Sequence, residues 1–287
     1  MKPFEYFEPR TVGEATQILS QYGEKAQILS GGIDLIPRMQ KGDIQAEYVV
    51  SIQKIPGLEY IESKGKEGIT FGAMSRLRSI EMSKTIQNKY PILYEAIHQI
   101  TSVQVKYMGT AVGNLCVATP ASDVATSLFA LGAQLKITGL NGERIEPIEK
   151  FYLGYRLTSL KRGEMVTEVI LPNPSPGIGT AFFNLVRTHA DIAKISVAVA
   201  ILPEKGVCGE GRIVIGAAAP TVFRAVKAEK LFTGQQITSE VINKVAETAA
   251  GETRPITDLR STARYRREMA RVLVRRALEK ALEKAKG

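Results

Sequence analysis

Between Pro172 and Gly179 the chain reads PNPSPGIG, with three prolines and two glycines in eight residues. Proline lacks the amide donor that a helix interior or a central strand needs, so neither element runs through this stretch. The residue pattern also changes across it. Upstream, strand-like and helical segments alternate. Downstream, three β-like runs (Thr180 to Arg187, Lys194 to Leu202, Gly211 to Ala218) come first. Three helical runs come after them: Arg224 to Phe232, Ser239 to Ala250 and Ser261 to Lys284. Strands then helices predict an α+β unit, an antiparallel sheet with helices on one face. We therefore expect one domain over 1–174 and a second, α+β domain over 178–287.

Before the boundary, Thr11-x-x-Glu14 has the form of a capping box, with a helix running on to Gly23. Ala26 to Leu29, Tyr48 to Ile52 and Ile69 to Met74 read as strands, the last with Ser75 as a cap for the next element. Ile80 to Ile86 and Ile92 to Ile100 read as helices on either side of Pro91. Asn141-Gly142 between Gln134–Thr138 and Arg144–Ile148 predicts a hairpin. In the last helical run, Tyr265, Met269, Val272, Leu273 and Ala277 share one face, with Arg266, Arg267, Arg271 and Arg275 mostly off it.

Two stretches have the composition of backbone that something approaches closely. Ile28-Leu29-Ser30-Gly31-Gly32-Ile33-Asp34-Leu35 is a strand entering a Ser-Gly-Gly turn, with a short apolar segment after it. Gly109 to Asn114 is a loop of small residues, with a helix from Ser122 as N-cap to a stop at Gly132. A small-residue loop before a helix N-terminus suits a phosphate. The Walker and G-x-G-x-x-G patterns are both absent, which argues against a P-loop or a dinucleotide-binding βαβ site.

Composition removes other classes. No run of about 18 apolar residues predicts a membrane span, and MKPFEYFEPR lacks the apolar core of a signal peptide. Two cysteines, Cys116 and Cys208, cannot hold a four-cysteine cluster. His98 and His189 are the only histidines, far apart in sequence, and no metal site is expected. The net charge is +9, and residues 252–287 hold 11 Lys/Arg against 5 Asp/Glu. No nucleic-acid-binding motif accompanies that surplus, so a solvated or partner-facing helix is the expectation rather than nucleic acid.

In order, these stretches resemble one family, the FAD-binding medium subunit of the molybdenum hydroxylases (carbon monoxide dehydrogenase and xanthine dehydrogenase type). Ser30 to Leu35 resembles its A-G-G-T-D-L motif. Gly109 to Cys116 resembles G-T-I-G-G-N-L-C, and Ala118 to Asp123 resembles A-S-P-A-A-D. Gly163 to Pro172 resembles P-G-E-L-L-T-E-I-x-I-P. Asp191-Ile192-Ala193, Arg224 to Leu231 and Tyr265-Arg266-Arg267 match the C-terminal domain. The resemblance implies a two-lobed FAD-binding domain of the vanillyl-alcohol-oxidase/PCMH type, with sub-lobes about 1–54 and 55–174. A C-terminal domain of the CO dehydrogenase flavoprotein type would come next.

It also implies roles. Ile28, Leu29, Ser30, Gly31, Gly32, Ile33, Asp34 and Leu35, with Thr110, Ala111, Val112, Gly113 and Asn114, would cradle the FAD pyrophosphate. Ile100 would contact the flavin, Asp123 would be an acidic cofactor ligand, and Val166 would touch the flavin or its adenine end. The implied partners are a large molybdenum-cofactor subunit and a small [2Fe–2S] subunit, as a dimer of heterotrimers in the cytoplasm. No acid, base or nucleophile is expected of this chain, since flavin carries the chemistry. The chain departs from the family at Ala111-Val112 (usually Ile-Gly), Ile33 (usually Thr) and Asn184 (often Lys). Ala111 predicts space beside the flavin ring, and Val112 a side chain that resists positive φ. A flavin-impaired assembly subunit is the alternative these departures imply.

Overall fold

The computed structural model describes residues 1–188 and 190–285, so His189, Lys286 and Gly287 lie outside the described residues. The chain opens with β1 (Glu5–Phe7), α1 (Val12–Tyr22), β2 (Ala26–Leu29), α2 (Leu35–Lys41) and β3 (Tyr48–Ser51). The strands form a parallel sheet in the order β1-β3-β2. Thr11 Oγ1 accepts from the Glu14 N–H (3.1 Å), as a capping box requires. The Glu14 carboxylate reaches one residue further back than expected, to the Arg10 N–H (2.7 Å). The helix α2 stands where only a short apolar segment was anticipated. Pro37 is compatible with this helix because it sits in the first turn, where the missing N–H is not needed.

The second lobe runs through β4 (Ile61–Ser63), β5 (Ile69–Gly72), α3 (Leu77–Met82), α4 (Lys84–Lys89), α5 (Pro91–His98), α6 (Val103–Met108), α7 (Ala111–Cys116) and α8 (Asp123–Ala130). It continues with β6 (Gln134–Gly139), β7 (Gly142–Pro147), α9 (Ile148–Phe151), β8 (Tyr152–Gly154), β9 (Leu157–Thr158) and β10 (Met165–Leu171). Its sheet is antiparallel, in the order β4-β5-β10-β6-β7. The β6–β7 hairpin pairs Gly139 with Gly142, which leaves Leu140-Asn141 as the turn, one residue earlier than expected. Ser75 does not cap α3. Its hydroxyl donates to the Tyr60 carbonyl (2.6 Å).

After the proline-rich crossing come β11 (Gly179–Leu185), β12 (Ile195–Glu204), β13 (Val207–Gly216) and β14 (Phe223–Arg224). The helices α10 (Val226–Phe232), α11 (Ser239–Gly251) and α12 (Ala263–Ala285) close the chain. The sheet is antiparallel in sequence order. Its helices cover one face, as expected, but the other face is not open to solvent. Ala181, Val197, Val199, Ile213 and Ile215 pack towards α12. The alternate residues Phe182, Ala198, Ala200 and Val214 join the core of the N-terminal half, and α5 and α8 lie against the sheet. The ion pairs of Glu149 with Arg212 (3.0 Å) and Arg224 (3.5 Å) lie along the same junction.

The buried seam of α12 is also shifted. Arg266, Ala270, Leu273, Val274, Ala277, Leu278 and Ala281 face inward, while Tyr265 is exposed. A buried guanidinium is tolerated at Arg266 because Asp258 accepts from it at 2.7 Å.

Candidate functional site

The two glycine motifs, 80 residues apart in sequence, meet backbone to backbone. Thr110 Oγ1 donates to Ser30 Oγ (3.3 Å) and accepts from the Gly113 N–H (3.0 Å) as the N-cap of α7. A Cβ on Gly31 would lie 2.1 Å from the Met108 carbonyl oxygen, and one on Gly113 would lie 2.8 Å from Ser30 Oγ. Gly31 is therefore required by the packing of one motif on the other, and a side chain at Gly113 would displace the Ser30 and Thr110 hydroxyls. Gly32 is required for its conformation, with φ at +73°. Gln53 Nε2 donates to the Ser30 carbonyl (2.6 Å). The Leu77 N–H to Gly109 carbonyl bond (2.9 Å) and the Ala111 N–H to Ser75 carbonyl bond (3.2 Å) clamp the second motif to the stretch before α3.

The second motif is not a loop. It is the short helix α7, with α6 just before it. Ala111 and Val112 are both buried within the core, so these two positions offer backbone rather than side chain to anything outside. Val112 lies in a helix and not at positive φ, so its β-branch is under no strain. Ile33 is exposed. Asp34 stands before α2 without capping it. Its carboxylate instead accepts from Arg38 and Arg156, both at 3.4 Å.

Asn114 links the motif to α8, because the Ser122 hydroxyl donates to its side-chain oxygen. Ser122 caps α8, accepting from the Ala125 N–H at 2.9 Å, as expected. Asp123, next along, faces the C-terminal sheet. Its Oδ2 accepts from Asn184 Nδ2 (2.9 Å), while Oδ1 is buried with no partner among the described residues. Burial pushes its pKa up to about 6, against the hydrogen bonds from Asn184 and Ser196. This helix start is thus occupied by a buried carboxylate, which disfavours a phosphate there. An orphaned acceptor suits a hydroxyl or ring N–H of a cofactor. Val166 is buried in β10, on which α7 packs, and Ile100 is half-buried after α5. Neither is hydrogen-bonded through its side chain to the motifs, both side chains being hydrocarbon.

A concavity of about 360 Å³ lies elsewhere. It runs between Lys89–Pro91, Pro172–Ser175 and Arg212, and no residue of the two glycine motifs lines it. Gln53 and Arg156 had no signal in the sequence, each being an isolated polar residue in a connecting segment. Asn184 was visible only as a departure from the family pattern. No cluster of metal-ligating side chains occurs among the described residues.

Residues 2–174 match the family described as the FAD binding domain in molybdopterin dehydrogenase. Residues 180–281 match the CO dehydrogenase flavoprotein C-terminal domain. The chain is 32% identical to the carbon monoxide dehydrogenase medium chain of Afipia carboxidovorans, over 99% of this chain and 98% of that one. It is equally close to the alpha subunit of the 6-hydroxypseudooxynicotine dehydrogenase complex of Paenarthrobacter nicotinovorans (32%, covering 100% and 97%). A solved structure of carbon monoxide dehydrogenase from Hydrogenophaga pseudoflava, lacking the Mo-pyranopterin moiety, superposes with a TM-score of 0.95 at 34% identity, covering 99% of each chain. The two joined glycine motifs, the orphaned carboxylate and these matches agree: the chain belongs to the FAD-binding medium-subunit family of the molybdenum hydroxylases.

Proposed function

We propose that this chain holds FAD at the junction of its two glycine motifs, as the electron-transferring subunit of a multi-subunit dehydrogenase. The convergence of Ser30–Gly32 with Thr110–Asn114, beside a buried acceptor that lacks a donor at Asp123, is the observation that carries this reading. The flavin supplies the redox chemistry of such a complex, in which electrons come from [2Fe–2S] clusters of the small subunit and leave to an external acceptor. This chain's own work is to bind and orient.

Ile28 to Leu35 and Thr110 to Asn114 present backbone to the pyrophosphate. The Asp123 carboxylate accepts from a cofactor hydroxyl or ring N–H, and Asn184 holds it in place. Ile100 and Val166 offer apolar contact. Residues 1–174, in sub-lobes of about 1–54 and 55–174, form the flavin-binding unit, and 178–287 form the second domain. The complex is read as a cytoplasmic dimer of heterotrimers with a large molybdenum-cofactor subunit. No helix of the described residues is long and apolar enough to cross a membrane.

The test is titration of the purified chain with FAD, monitored by flavin fluorescence and thermal unfolding. Saturation at one FAD per chain is expected, with stabilisation of about 2.7 kcal/mol at a hundredfold excess over Kd. No binding and no stabilisation would overturn the reading.

A further inference from the structure

The β8–β9 hairpin, which none of the sequence motifs includes, reaches back to both motif regions through one residue. Arg156 lies at its turn with φ at +57°, a left-handed conformation that residues other than glycine rarely hold. Its N–H donates to the Ala118 carbonyl (2.9 Å), and Ala118 is itself left-handed, with φ at +49°. Positive φ in a two-residue hairpin turn is ordinary, as at Lys205 between β12 and β13, and the bond to Ala118 ties this turn to the segment just after the second motif. The Arg156 side chain is directed as tightly as its backbone. Nη1 donates to Asp34 Oδ2 (3.4 Å), and Nε donates to the Tyr155 hydroxyl (3.2 Å), with the guanidinium 5.5 Å from the Tyr155 ring centroid.

The pairing around Asp34 is unusual in two respects. One carboxylate faces two guanidiniums, Arg38 and Arg156, so the first motif carries a local surplus of positive charge. Both contacts are 3.4 Å, longer than a well-made charged hydrogen bond, whereas Arg224–Glu229 and Arg266–Asp258 in the same chain close to 2.7 Å. A partly exposed pair this loose adds little to stability.

We propose that Arg156 is a cofactor ligand. Its guanidinium supplies the counter-charge to the FAD pyrophosphate at the glycine motifs, and Asp34 keeps it aimed there when no anion is bound. This rests on the FAD reading above and adds to it a charged side chain that reaches the first motif from a distant hairpin, whereas Arg38 reaches it from the next turn of α2. A planar fork of donors suits a pyrophosphate, which the surplus over Asp34 alone would otherwise not balance.

The experiment is fluorescence titration of the full chain with FAD and, separately, with riboflavin, which has the ring but no phosphate, at low and high salt. Arg156→Gln is expected to raise the Kd for FAD by about 10- to 100-fold. It should flatten the salt dependence and leave riboflavin binding unchanged. Arg156→Lys, which keeps the charge, should retain the salt dependence and lose less. FAD binding within twofold of the parent chain in Arg156→Gln would overturn the proposal while leaving the FAD site standing. So would equal losses for FAD and riboflavin, which mark a merely structural role. If the parent chain binds neither ligand, the site itself is misread and the proposal falls with it. Should Arg156→Gln fail to fold by circular dichroism, a loss of salt dependence in the folded Arg156→Lys variant would overturn it.

Discussion

Two buried carboxylates, Glu81 and Asp123, sit in opposite electrostatic company. Glu81, on α3, accepts from Arg78 (2.7 Å), Lys106 (2.8 Å) and His98 Nδ1 (2.9 Å). Burial alone would raise its pKa, but the bonds from Lys106, Arg78 and His98 outweigh that and hold it below the usual carboxylate range. Asp123, at the start of α8, has a neutral amide and a hydroxyl for partners, and one oxygen with none. The residue as a whole is only half-buried, yet Oδ1 is shut away from solvent, and the buried atom governs the titration. One carboxylate is the centre of an ionic knot that ties α3 to α5 and α6, with both of its oxygens paired. The other is a place where the fold tolerates an unmet acceptor. Both Glu81 oxygens are satisfied within the fold, whereas Asp123 Oδ1 has no partner among the described residues.

The largest break in this contrast should come from Lys106→Met. It strips a fully buried cation from a fully buried anion, a change that costs about 3 kcal/mol. Urea unfolding at pH 7 should show the midpoint fall accordingly. A loss under about 1 kcal/mol would mean that Arg78 and His98 suffice for Glu81.

Asp123→Asn should act in the opposite direction. The folded-state pKa of Asp123 lies above its unfolded value of 3.8, so the folded chain binds the extra proton between about pH 4 and 6. Stability therefore falls as pH rises through that window and is level above it. The variant should escape this fall, gaining about 1–2 kcal/mol at pH 8 and nothing near pH 4. A gain that is the same at both pH values would show that packing rather than charge is responsible.

Glu81 has the reverse sign. Its pKa is lowered from 4.5, so its contribution is present above that value and is lost as pH falls further. Glu81→Gln should remove that acid-side loss while lowering stability at neutral pH. The smallest effect belongs to His98→Gln. The His98 side chain is 63% exposed, so its bond to Glu81 should be worth no more than about 0.5 kcal/mol in denaturant unfolding. A larger loss would place His98 inside the ionic knot.

Features that depend on residues close in sequence were legible, and features that depend on distant neighbours were not. Ser122 and Thr11 cap the helices they were expected to cap, because a cap needs only the next turn. Gly132 ends α8 with φ at +67°, again a local matter. Gly31 was rightly singled out for close approach, but what approaches is the Met108 carbonyl, from the other glycine motif's side of the chain. Arg266 was placed on the polar side of its helix because charge predicts exposure, and Asp258, eight residues earlier in the segment leading into α12, reverses that by accepting from it, a pairing that helical periodicity does not register. Residues 195–201 of β12 are buried throughout, which alternation could not foretell, because the second face is covered by α5 and α8 from the other half of the chain.

By itself the sequence determined most elements and the two glycine motifs with their family likeness. These rest on backbone chemistry that acts over a few residues: missing amides, permitted φ and short-range caps. Only the tertiary structure decided that the motifs pack on one another and that Glu81 is neutralised while Asp123 is not. It alone placed Arg156 beside Asp34. Charge, burial and hydrogen-bond satisfaction depend on which atoms surround a group, and those atoms come from parts of the chain that only folding brings together.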